Sequence, residues 1–164
     1  MTDAKQTDAT RADANQGVTP QPAAPDAPAA KPKKEKPPAL EDKPFTDFIQ
    51  QDYLPALQKG LAAQGIAGVS LQFLKQKISV TGYDRSPECW QVVGQWQADR
   101  QNRQFNVYFY DEDIQGSRGF SACVANSQAS TLESFRIDEK KLSLDLLVSG
   151  TLQRLNGQKW LARN

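Results

Sequence analysis

Histidine is absent from all 164 residues, and with it go imidazole-activated serine and cysteine nucleophiles, histidine metal ligation and a switch titrating near neutral pH. Cysteine is nearly absent. Cys89 and Cys123 are too few and too widely spaced for a zinc site or an iron–sulfur cluster. They read as reduced, buried small side chains, with a disulfide or redox pair as the alternative. An excess of either charge is missing too: the formal net charge is +1, without the clustered cations that displace counterions from nucleic acid, so no nucleic-acid partner is expected. No apolar run approaches the roughly 20 residues of a membrane-spanning helix, and no apolar signal segment opens the chain. Neither membrane insertion nor secretion is expected. Phosphate loops and nucleophile elbows are missing as patterns, since "NGQKW" and "QGSRG" match neither. No catalytic residue, cofactor or metal is therefore assigned.

What is present falls into two parts. Eight of the ten prolines lie in residues 1–44, and no aromatic precedes Phe45. Such a segment cannot bury enough apolar surface to offset backbone ordering, about 1–2 kcal/mol per residue. Residues 1–40 are expected to be a disordered Pro/Ala/Lys-rich tail, its run of Lys31, Lys33, Lys34 and Lys36 a solvated linker or a partner contact. Residues 41–164 are expected to form a single domain. Phe45, Phe48, Ile49, Tyr53, Leu54, Leu57 and Leu61 recur at helical spacing. This helix should run from near 45 to near Gly65, N-capped by Asp42 or Thr46 and kinked or divided at Pro55.

Period-two alternation then predicts five short strands, over residues 69–76, 77–83, 89–97, 103–111 and 119–125. Trp90, Val92 and Trp96 share one face, as do Phe105, Val107 and Phe109; Phe120, Ala122 and Val124 are expected inward. Leu144, Leu147, Val148, Leu152 and Leu155 predict a last helix, capped by Ser143 or beginning as early as Glu139, and stopped in the left-handed region by Asn156-Gly157. The class is α+β: a five-stranded antiparallel meander with an N-terminal and a C-terminal helix on one face.

Two features invite a functional reading. In "FNVYFYDEDIQG", Asp111, Asp113, Gln115 and Gly116 fall at positions 1, 3, 5 and 6 of an EF-hand loop. The twelfth position, which needs a bidentate carboxylate, is Ala122, and strands replace the flanking helices, so a solvated turn is expected. Asp111, Glu112 and Asp113 are then available to a basic neighbour. Trp160 stands past the end of the last helix between Lys159 and Arg163, where an indole either packs back on its own sheet or anchors a partner.

Five blocks, "KEKPPALEDKPF", "ECWQVVGQW", "QFNVYFYDEDI", "STLESFRIDEKK" and "DLLV…TLQRLNGQKWLARN", occur in an order that resembles the NdhV family. These are small peripheral V subunits of the photosynthetic NDH complex of cyanobacteria and chloroplasts. The resemblance implies a non-catalytic subunit without cofactors, peripheral on the cytoplasmic side of the thylakoid membrane. It implies docking near the NdhS and NdhI subunits in support of ferredoxin-dependent plastoquinone reduction and cyclic electron flow around photosystem I. Direct contact with ferredoxin is open. Acidic ferredoxin would be steered by exposed cations, for which the candidates are Lys140, Lys141, Arg154, Lys159 and Arg163. Alternatives are a small-ligand module whose pocket is lined by Trp90, Trp96 and Phe105, a transient assembly factor for the complex, and a hydrolase using Asp111 and Asp113.

Overall fold

The computed structural model describes residues 39–124 and 127–161; the expected tail, except for residues 39 and 40, lies outside them. After one 3-10 turn, Leu40–Asp42, the chain forms a helical arm of α1 (Phe45–Asp47), a π-helical stretch (Phe48–Tyr53) and α2 (Leu54–Ala63). Pro55 accounts for the change of register. It has no N–H to give the Gln51 carbonyl, and its ring presses on that group. The preceding turn widens, and the Leu54 N–H donates to the Ile49 carbonyl five residues back. The apolar stripe survives: Phe48, Ile49, Tyr53, Leu57 and Leu61 are all buried. Neither expected N-cap is used. Pro44 holds that position, Asp42 accepts from the Ala39 N–H at 3.1 Å, and Thr46 lies inside α1.

Five strands follow: β1 (Ser70–Gln76), β2 (Cys89–Ala98), β3 (Gln101–Phe109), β4 (Arg118–Val124) and β5 (Glu133–Ser134). They form one antiparallel sheet in sequence order, so the α+β meander is the observed fold. Its membership differs from expectation. Residues 77–83 are not a strand; Val80 makes only an isolated bridge to Ala129, and the fifth ladder member is β5. Ile78 and Val80 are nonetheless buried, with Cys89, Tyr108 and Ala129, in a small core of their own. Their alternation records burial beneath a connection, not a ladder partner. Val124, expected inward, is 39% exposed as the last residue of β4.

The other face carries the main core, where Val92, Trp96, Phe105, Val107, Phe109 and Phe120 meet the helices. Gly94 faces Phe105 across the ladder, and a Cβ there would collide with the Phe105 ring. On the opposite face a chain of amides crosses three strands. Gln76 Nε2 and Asn106 Nδ2 both donate to Gln91 Oε1, at 3.2 and 3.0 Å. Gln104 Nε2 donates to Asn106 Oδ1 at 2.9 Å, and Gln95 Nε2 to Gln104 Oε1 at 2.7 Å. Gln91 and Asn106 are buried, so these bonds satisfy groups that would otherwise be costly.

The last helix is α3 (Leu144–Gly157), capped as expected by Ser143, whose hydroxyl accepts from the Leu146 N–H at 3.3 Å. Glu41 adds a second acceptor, taking the Leu144 N–H at 2.9 Å; that bond is the main cause of its lowered pKa. Gly150 is an interior glycine, which costs a helix about 1 kcal/mol relative to alanine. Here Phe135 and Arg136 cross α3, and a Cβ would sit 2.6 Å from Arg136 Nε. Arg118, buried at the start of β4, donates to the carbonyls of Ile114, Phe135 and Arg136. It binds β4 to the connections on either side.

Candidate functional site

Both helical arms end alike. At the end of α2 the Gly65 N–H donates to the Ala62 carbonyl and the Ile66 N–H to the Leu61 carbonyl, each at 3.0 Å. At the end of α3 the Lys159 N–H donates to Asn156 at 2.8 Å and the Trp160 N–H to Leu155 at 3.2 Å. Each pair is a Schellman motif, which needs one left-handed residue followed by an apolar one that packs toward the helix. Gly65 (φ 86°) and Lys159 (φ 57°) are the left-handed residues. The expected stop at Asn156-Gly157 is therefore displaced, Gly157 being the last residue of α3. A left-handed Gly157 would be followed by Gln158, which has nothing to bury; a left-handed Lys159 is followed by Trp160, which joins the core with Leu155.

A third loop meets these two. Asp99 and Arg100 (φ 51° and 63°) form the two-residue turn between β2 and β3, and such doubly left-handed turns match the strand twist. The three loops enclose a cleft of about 460 Å³ lined by residues 65–67, 96–99, 103 and 159–161. Trp160 lies edge-on to Trp96, ring centroids 5.5 Å apart. The Arg103 guanidinium is 5.7 Å from the Trp160 ring centroid. Arg103 Nη1 donates to the Trp160 carbonyl at 3.2 Å, and Nη2 to Asp99 Oδ2 at 3.0 Å. Trp160 thus packs at home, half-buried, while one side of its ring borders the cleft. Trp96 is 5% exposed, and its indole N–H has no acceptor among the described residues. A buried donor left without a partner costs about 1–3 kcal/mol.

The contact residues expected from sequence are not gathered in one patch. Lys140 and Lys141 are exposed before α3, and Lys159 is exposed after it. The helix between them is about 21 Å long at about 1.5 Å per residue. Arg154 is engaged with its own sheet, Nη1 donating to Glu133 Oε2 at 2.5 Å and Nη2 to the Ser134 carbonyl at 2.9 Å. Arg163 lies outside the described residues.

The three acids serve the turn that carries them. Asp111 Oδ2 accepts the Ser117 N–H at 2.7 Å, and Asp113 Oδ1 the Gln115 N–H at 2.9 Å. Glu112 pairs with Lys75 at 2.6 Å, which lowers the carboxyl pKa and raises that of the amine. Gln115 ties this turn to the segment before α3, donating to the Leu142 carbonyl at 2.8 Å and accepting its N–H at 2.7 Å. The acids and Lys141 therefore belong to one end of α3, and Trp160 to the other.

Trp90, Trp96 and Phe105 do not enclose the pocket imagined for a small ligand. Trp90 stacks on Phe73 with centroids 4.6 Å apart, Phe105 is fully buried beside Phe120, and Trp96 alone of the three borders the cleft. Sequence reasoning missed Arg103. Its signal was its place on the apolar face of β3, in step with Phe105, Val107 and Phe109.

Residues 39–162 match the family model described as "Protein of unknown function (DUF2996)". The match covers most of the chain, which therefore belongs to the DUF2996 family. No curated protein matches it.

Proposed function

We propose that this DUF2996 member is an accessory, non-catalytic subunit of the photosynthetic NDH complex. It docks peripherally on the cytoplasmic arm, beside the NdhS and NdhI subunits, and supports ferredoxin-dependent cyclic electron flow around photosystem I. The five NdhV-like blocks support the assignment; among the described residues the first covers the 3-10 turn and the start of α1, and the other four include parts of β2, β3, β5 and α3. The single observation that carries a docking role is the surface at the end of α3. There a half-buried Trp160, an Arg103 stacked over it and an exposed Lys159 stand together, and Trp and Arg dominate the anchors of protein interfaces.

The deciding experiment is affinity purification of the tagged chain from solubilised thylakoid membranes. Recovery with NDH subunits in assembled, active particles is expected. Recovery of free monomer alone at low salt sinks the proposal, and recovery only with incomplete particles replaces it with an assembly factor. Charge reversal at Lys159 and Arg163 is expected to slow complex-dependent ferredoxin oxidation, more at low salt than at high. An unchanged rate with the subunit still bound removes ferredoxin from the contact.

A further inference from the structure

Lys159 holds a left-handed position that a helix end would ordinarily give to glycine. What lysine adds there is a charge, and no carboxylate pairs with it among the described residues. The cleft between the three loops has Arg103 and Lys159 against a single acid, Asp99. Asp99 is 84% exposed, so an incoming carboxylate displaces it from Arg103 without uncovering a buried charge. Gly65, Ala67, Asp99 and Lys159 are exposed along the rim, which makes the space a groove and not a chamber.

We propose that this groove binds an acidic peptide segment of a partner protein. A carboxylate of the segment pairs with Lys159 and Arg103, and its chain lies against the Trp160 ring. The inference rests on the docking role above and adds the chemistry of the partner.

The chain contains three tryptophans, Trp90, Trp96 and Trp160, so their indole N–H signals form an internal comparison in the ¹⁵N-labelled full-length protein. Titration with hexaglutamate at low salt is expected to shift Trp96 and Trp160 saturably and to leave Trp90 in place. Lys159→Gly removes the cation while easing the helix end, so folding is not at risk. It should weaken binding about fivefold, the upper range for an exposed ion pair. Several results overturn the groove: shifts confined to the N-terminal segment with its lysines, movement of Trp90 in parallel, the same shifts from free glutamate at equal carboxylate concentration, or undiminished affinity in Lys159→Gly. Wild-type chain that co-purifies with the NDH complex yet ignores hexaglutamate refutes the groove and leaves docking standing. Chain that binds hexaglutamate but never co-purifies does the reverse.

Discussion

Lys159 and Arg100 are residues whose identity works against their backbone. Each is left-handed, a conformation that costs a residue with a Cβ about 1–2 kcal/mol and glycine almost nothing. Replacing either with glycine should raise stability by about 1 kcal/mol, read as a higher urea midpoint at an unchanged slope. No increase for Lys159→Gly would mean that the α3 cap is framed on another residue. Gly94 presents the opposite case, because Phe105 occupies the volume a side chain would need. Gly94→Ala is expected to cost about 3 kcal/mol; a loss under 0.5 kcal/mol in the same measurement would contradict the placement of that ring. Neither kind of site could be read from sequence. A left-handed lysine is chosen by the indole after it, and the demand on Gly94 comes from a residue eleven positions away.

The helical arms, four of the strands and the Ser143 cap were legible because local periodicity and capping chemistry specify them. Ser143→Ala should destabilise by about 1 kcal/mol. The remaining strand was not legible. Burial alternates in residues 77–81 without a ladder, while β5, two residues long, is too short to show a period. Glu41 was likewise hidden, since its partner Leu144 lies 103 residues on. Its carboxyl pKa is lowered from 4.5 in the folded chain, first by the Leu144 N–H, so folding favours the charged form. That stabilisation is complete above about pH 4.5 and fades as pH falls through the lower folded value. Melting temperatures of wild type and Glu41→Gln should differ at pH 7 and converge below pH 4; a constant difference would rule out the carboxylate as the cap.

For the molecule as a whole, the cleft depends on three loops that converge from distant parts of the chain, and no local signal marks it. Register also settles the cysteines. Cys89 precedes the Trp90–Phe109 pair and so lies opposite residue 110, whereas Cys123 pairs with Gln104. Positions 104 and 110 are six steps apart along extended chain, about 20 Å at about 3.3 Å per residue, beyond the roughly 7 Å Cα limit for a disulfide. Both thiols are free, and burial raises the pKa of each. Thiol titration should find two thiols in denaturant and slow reaction at Cys89 in the native chain. A band shift under mild oxidant that Cys123→Ser abolishes would disprove this. The amide chain from Gln76 to Gln95 has a wider consequence. A slip of one residue would turn Gln91 and Asn106 into the aromatic core, so these amides hold the strands in alignment, and amides neither titrate nor respond to ionic screening. The molecule consequently has a centre indifferent to its surroundings and a border, at Glu41 and Lys75–Glu112, that responds to them. Acid or salt loosens the border while the sheet keeps its alignment.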